Sequence, residues 1–142
     1  MDIFSPEKRS EIMRRVRSDE TRPEQILRKA LFSRGWRYRK NVKKLPGKPD
    51  LVFAKAKVVV FVHGCFWHQH EGCKAAARPK SRQGYWQKKL ERNIARDLET
   101  QERLKKEGWR VIVIWECELQ KDIDAMVERV EEELEKEIVK GM

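Results

Sequence analysis

The run Val58–Val62, VVVFV, restricts the fold more than any other stretch of this chain. Successive side chains of a strand point to opposite faces. Five apolar residues in a row therefore need cover on both sides, as in the central strand of a sheet with helices above and below it. A second run of this kind, WRVIVIWE, begins at Trp109. Between the two, Ser81 to Gly108 reads as one long helix, with Trp86, Leu90, Ile94 and Leu98 at four-residue spacing.

Upstream, SPEKRSEIMRRV reads as a first helix, with Ser5 as N-cap, Pro6 at its first position and Ile12 and Val16 four apart. Lys8 stands where a capping box would need Glu or Gln. A second helix opens near Pro23, carries Ile26, Leu27, Ala30 and Leu31 as its stripe, and stops at Gly35. WRYRK alternates aromatic and basic residues and reads as a strand. KLPGKPD is a turn, and Pro49 is expected to push Lys48 toward an extended conformation. LVFA is a further strand, joined to VVVFV through KAK, and a final acidic helix carries IDAMVERVEEELEKEIV. Two helices, three strands, a helix, a strand and a helix imply an α/β sandwich with a mixed sheet. Residues 1–142 read as one domain.

The 33 Lys and Arg against 23 Asp and Glu give a net charge of +10, which favours a polyanion such as nucleic acid as partner. The basic excess lies in the first half, so the acidic C-terminal helix is expected to face away from phosphates. The opening MDIFSPEKRSEIMRR is charged and has no apolar h-region, and no apolar run is long enough to span a bilayer. A cytoplasmic setting is expected, in which the three cysteines stay reduced.

Those cysteines lie near ligands of another kind. Cys65, His70 and Cys73 form a C-x4-H-x2-C cluster, and Cys117 directly follows the last strand. Zinc takes four such ligands in a tetrahedron. Were the last strand to lie beside VVVFV, Cys117 would reach the cluster and complete a Cys3His site. The spacing is not that of a standard finger, and three small buried cysteines are the alternative. Asp50 opens a strand after a Pro-Gly turn, a place suited to a magnesium ligand and equally to a turn residue. His63 and His68 stand near the end of the central strand, where imidazoles can carry protons for Asp50's neighbourhood or simply fill core. Phe66, Trp67 and Trp86 can wedge between bases, although aromatics more often belong to a core.

Taken together, RSEIMR, TRPEQILRKAL, LPGKPDLVF, VVVFVHGCFWHQH, YWQKK with NIARD, and GWRVIVIWEC resemble the very short patch repair (Vsr) endonucleases, from about Arg9 to Cys117. HGCFWH is the most specific of these motifs. The resemblance implies a restriction-endonuclease-like, PD-(D/E)xK-related fold. It implies a magnesium-dependent nick in duplex DNA, 5′ of the T in a T:G mismatch. Asp50 would bind magnesium. His68 would be the general base or position the water, His63 would assist at the phosphate, and Glu24 would orient His68. Cys65, His70, Cys73 and Cys117 would hold structural zinc. Phe66, Trp67 and Trp86 would enter the base stack from the major groove, and Met13 from the minor groove.

The resemblance further makes residues 1–20 a DNA-contacting helix and 119–142 an acidic helix of a single endonuclease domain. It implies a monomer near the nucleoid, with mismatch-repair proteins as possible partners. Two departures stand out. FVHG offers neither the carboxylate nor the lysine usual on the second strand of this superfamily, and Val62 replaces the threonine of some relatives, leaving a main-chain carbonyl for magnesium. The EG between His70 and Cys73 is also one residue longer than in some relatives. A non-catalytic, zinc-stabilised module that binds mismatched or damaged DNA is the alternative of a different class. A thiol-redox protein is a third, though the chain lacks a C-x2-C pair.

Overall fold

The computed structural model describes residues 22–40 and 42–140. The expected first helix, with Met13, lies outside the described residues. The described chain runs α1 (Pro23–Ser33), β1 (Arg39–Lys40), β2 (Leu51–Phe53), β3 (Val58–His63), a short 3-10 turn at Lys74–Ala76, α2 (Gln83–Lys106), β4 (Arg110–Trp115), α3 (Glu116–Lys121) and α4 (Ile123–Lys140). The four strands form one mixed sheet in the order β1-β2-β3-β4. The first two pairings are antiparallel. β4 runs parallel to β3, with Val59 opposite Val111 and His63 opposite Trp115.

β3 is buried on both faces, as its apolar run requires. Val58 and Val60 join Leu51, Phe53, Ile112 and Ile114 in the larger core, against Leu27 and Leu31 of α1 and Val127, Val130 and Leu134 of α4. Val59 and Phe61 join Val52 and Leu104 of α2 in a smaller core on the other face. The pleat's period of two thus sends His63 to the side that α2 covers. The acidic α4 occupies the opposite side.

Several expectations need correction. The WRYRK strand is only two residues long, because Trp36 and Tyr38 turn to helices instead. Trp36 Nε1 donates to Glu131 of α4 (2.8 Å), and Tyr38 Oη donates to the carbonyl of Arg28 on α1 (2.9 Å). IDAMVERVEEELEKEIV forms one helix, α4, as expected, but the acidic helix does not reach back to residue 119, because 119–121 belong to the separate α3. Asp122 between the two helices is extended at φ −158°. The stripe of α2 is not 86-90-94-98. Leu90 and Leu104 are the fully buried positions, and Leu98 is 59% exposed. A spacing of four overshoots the 3.6-residue turn, so such a row drifts off the packed face. β4 is half-covered, with only Ile112 and Ile114 fully inside. Lys48 is left-handed at φ 50°, not extended. It follows Gly47, at φ 74°, where an added Cβ would collide with the Thr100 methyl of α2. The tight seat of this turn on α2 overrides the preference imposed by Pro49.

Candidate active site and metal centre

Asp50 ends the turn before β2 and lies one strand away from the end of β3. The Val62 N–H donates to Asp50 Oδ2 at 2.7 Å. Burial pushes the Asp50 carboxyl up to about 6. The Val62 hydrogen bond and the Arg28 charge counter that rise, and the Glu24 charge adds to it. Asp50, Val62, His63, His68 and Asp97 line one pocket of about 270 Å³ between the sheet and α2.

The imidazoles are held in a defined order. His63 is buried and stacks on His68, with ring centroids 3.8 Å apart and planes 7° from parallel. Burial, followed by the neighbouring His68, lowers His63 to about 4, so its ring is neutral near pH 7. His68 Nδ1 lies 2.6 Å from Asp97 Oδ2. A carboxylate only accepts, so Nδ1 carries the hydrogen, and in the neutral ring Nε2 is left with the lone pair of a base. His63, His68 and Asp97 also place three ligand atoms within 4.8 Å of one another. With the rings parallel, however, their in-plane lone pairs do not converge on one point between them.

The carboxylate on His68 is therefore Asp97, and Glu24 is not its hydrogen-bonding partner. Glu24 sits on the first turn of α1, forms a 3.9 Å ion pair with Arg22, and is felt at Asp50. Asp97 had gone unnoticed in the sequence, yet a signal was there. Leu90, Asp97 and Leu104 are seven apart, so Asp97 is a carboxylate at a packed-face position of α2.

A second cluster lies next to this pocket. Cys65, His70, Cys73 and Cys117 bring their ligand atoms within 4.8 Å of one another. Parallel pairing of β4 with β3 carries Cys117, in the first turn of α3, to the loop that follows β3. Cys117 Sγ is 3.3 Å from His70 Nδ1. Around a tetrahedral zinc with ordinary bond lengths, neighbouring ligand atoms are roughly 3.5 Å apart. All three cysteines are unpaired thiols. Burial pushes the Cys65 thiol up to about 12, while the Ala75 N–H, foremost, holds Cys73 down. A cation at their centre would supply the charge that lets Cys65 ionise. The quartet can thus hold a metal ion.

The loop is braced from within and from α2. His70 N donates to the Cys65 carbonyl (2.9 Å), and His68 N to that of Gly64 (3.1 Å). Gln69 Nε2 donates to the Phe66 carbonyl (2.7 Å), and Asn93 Nδ2 to that of Trp67 (3.1 Å). Trp115 stacks on His70 at 4.2 Å and meets His63 edge-on at 5.2 Å, so one ring separates the cluster from the imidazole pair. Phe66, Trp67 and Trp86 form a triad with centroids 5.1, 5.4 and 6.0 Å apart. They are not core residues: Trp67 is 47% exposed, and Lys89 Nζ lies 5.3 Å from its ring.

Fold and site define an α/β domain with an acid–base pocket beside a candidate metal centre. Comparison with known proteins adds its lineage. The family described as DNA mismatch endonuclease Vsr matches residues 1–74. The type II nicking enzyme V.XorIIP of Xanthomonas oryzae pv. oryzae is 50% identical over 129 residues, covering 91% of this chain and 93% of that protein. The type II nicking enzyme V.NmeAIP of Neisseria meningitidis is 50% identical over 118 residues, 83% of this chain and 84% of that protein. The DNA mismatch endonuclease Vsr of Escherichia coli is 38% identical over 135 residues, 92% and 86% of the two chains. This chain belongs to the Vsr family. Among the described residues, no helix is long and apolar enough to cross a membrane.

Proposed function

We propose that this chain is a DNA mismatch endonuclease that hydrolyses one phosphodiester of duplex DNA, 5′ of the T in a T:G mismatch, on a restriction-endonuclease-like fold. The observation that carries this reading is the convergence of Asp50, Val62, His63, His68 and Asp97 on one pocket. Magnesium bound there would stabilise the attacking and leaving oxygens and neutralise charge in the transition state. Asp50 fits as its ligand, being a carboxylate held by one N–H, with its second oxygen free of any such bond among the described residues. A strand residue sends its N–H and carbonyl to the same edge. The Val62 carbonyl is thus directed to Asp50's side and fits as a second ligand. Glu24 acts in this reading through Asp50, as a further negative charge beside the cation.

His68 Nε2 takes the proton of the attacking water, and Asp97 fixes the tautomer that makes this possible. His63 shields the pair and approaches the phosphate as a neutral donor. Zinc in the Cys65–His70–Cys73–Cys117 cluster would be coordinatively closed and serve to rigidify the loop. Phe66, Trp67 and Trp86 enter the stack at the mismatch, where a weakly stacked wobble pair lowers the cost of unstacking, roughly a few kcal/mol per step. Met13 would enter from the other groove. One cut in one strand needs one site, so a monomer suffices, acting at the nucleoid with mismatch-repair proteins.

The test is a strand-resolved cleavage assay on duplexes that differ in one base pair, with magnesium and then with a chelator. Nicks on the T strand of T:G alone, lost on chelation, are expected. Binding without nicks in magnesium would instead leave a zinc-stabilised mismatch-binding module. Asp97→Asn, which permits the wrong imidazole tautomer, is expected to slow single-turnover nicking by roughly 100-fold or more. A rate equal to that of the unaltered protein would make Asp97 a bystander. Trp67→Ala is expected to reduce the preference for T:G over T:A more than it reduces affinity for matched duplex. Unchanged discrimination in competition binding would remove Trp67 from mismatch reading.

A further inference from the structure

The catalytic pocket carries more positive charge than the mechanism has used. Its lining includes Lys48, from the turn before β2, and Arg96, from α2. No hydrogen bond or ion pair of the Lys48 side chain is found among the described residues. The two carboxylates of the pocket have partners already: Asp50 takes the Val62 N–H, and Asp97 takes His68. Lys48 is thus an exposed cation at the mouth of a pocket whose reaction creates negative charge.

Its backbone is also unusual. Lys48 is a non-glycine residue at φ 50°, directly before a proline. Left-handed backbone costs an ordinary residue roughly 1–2 kcal/mol, and strain of this kind gathers at functional sites. The turn requires this backbone but not a lysine, since glycine would adopt it freely. Two anchors hold it there. Gly47 sits where an added Cβ would run into Thr100 and Phe61, and the Lys48 N–H donates to the Leu45 carbonyl at 3.2 Å.

Resting on the endonuclease reading above, we propose that Lys48 is a catalytic residue whose ammonium contacts a non-bridging oxygen of the scissile phosphate. It stabilises the charge that builds there as the water oxygen bonds to phosphorus and the ester oxygen departs. No proton leaves Lys48. The water's proton goes to His68, and the leaving oxygen is protonated from solvent. Arg96 approaches the same phosphate group from α2, on relaxed helical backbone, as the second jaw of a cation clamp.

Four proteins decide the matter: wild type, Lys48→Ala, Lys48→Arg and Lys48→Gly. Each is tested for single-turnover nicking of a T:G duplex in magnesium, for affinity to the same duplex with no magnesium added, and for melting temperature. Lys48→Ala is expected to nick roughly 100-fold more slowly, as with loss of other transition-state cations or donors, with affinity changed by less than about threefold. Lys48→Arg is expected to recover about a tenth or more of the wild-type rate. Lys48→Gly is expected to match the alanine variant's loss while melting no lower than wild type, which separates chemistry from folding. Either a Lys48→Ala rate within about threefold of wild type, or a loss wholly in affinity for matched and mismatched duplex alike, overturns the assignment. Wild-type nicking beside an unimpaired Lys48→Ala overturns Lys48 alone. Absence of nicking by wild type overturns the endonuclease reading and this role with it.

Discussion

Asp50→Asn is expected to abolish nicking and at the same time to raise the melting temperature of the metal-free protein at neutral pH. The two effects share one cause. Burial holds the Asp50 carboxyl at about 6, above its ordinary value of 3.8. Because the folded-state value is raised, the favourable contribution of its proton is complete below about pH 4 and is lost as pH rises through about 6. At pH 7 the folded protein therefore carries an ionised, partly desolvated carboxylate that destabilises it by roughly 2–3 kcal/mol. Asparagine keeps an oxygen for the Val62 N–H and removes the charge. In the proposed mechanism it also removes the magnesium ligand. Magnesium offsets the same charge, so titration with the ion should stabilise the wild type and leave Asp50→Asn unmoved. At fixed magnesium, wild-type nicking should fall below pH 6, where the proton competes for Asp50, and added magnesium should restore it. An asparagine variant that melts lower than wild type in the absence of added magnesium would contradict the strained-carboxylate account. One that still nicks would remove Asp50 from the chemistry.

Cys117→Ser should have the larger effect on folding. Cys117 is the one member of the candidate metal quartet that comes from α3, and Cys65, His70 and Cys73 come from the loop after β3. Structural zinc contributes on the order of 10 kcal/mol in small domains, far more than one buried side chain. Loss of a single thiolate should reduce bound zinc below one per chain and lower the melting temperature steeply. Strong chelators should do the same to the wild type. Nicking is expected to fail along with the metal, since His68 sits two residues before His70 in the same loop. Elemental analysis and thermal melts provide the check. A serine variant with one zinc per chain and an unaltered melt would strike Cys117 from the site.

Much of this architecture was legible from local signals. VVVFV and WRVIVIWE read as buried strands, with their adjacency left as a condition, and they pair in parallel as β3 and β4. That pairing is what brings Cys117 to the three upstream ligands, so the metal quartet was readable from spacing plus one correct adjacency. What escaped were features set by tertiary contact. The aromatics of WRYRK favoured bonds to α1 and α4 over strand pairing. Lys48 obeys the seat of Gly47 on α2 rather than the rule for residues before proline. The bond between His68 and Asp97 spans 29 positions. No local pattern encodes it, although a heptad reading of α2 would have marked Asp97 as facing inward.

The order of the strands has a further meaning for how the molecule is born. Cys65 and Cys117 stand 52 positions apart (117 minus 65) and meet only when α2 has crossed over and β4 has docked beside β3. Contacts so distant along a chain form slowly, because the intervening segment must first close on itself. If the quartet holds zinc as proposed, ion capture by all four ligands would be a terminal event of maturation, a latch that snaps shut only on a correctly threaded sheet. In the proposed mechanism, a nascent chain lacking that latch would have its imidazoles and its aromatic triad loosely held, and so would be unarmed toward DNA until assembly is finished.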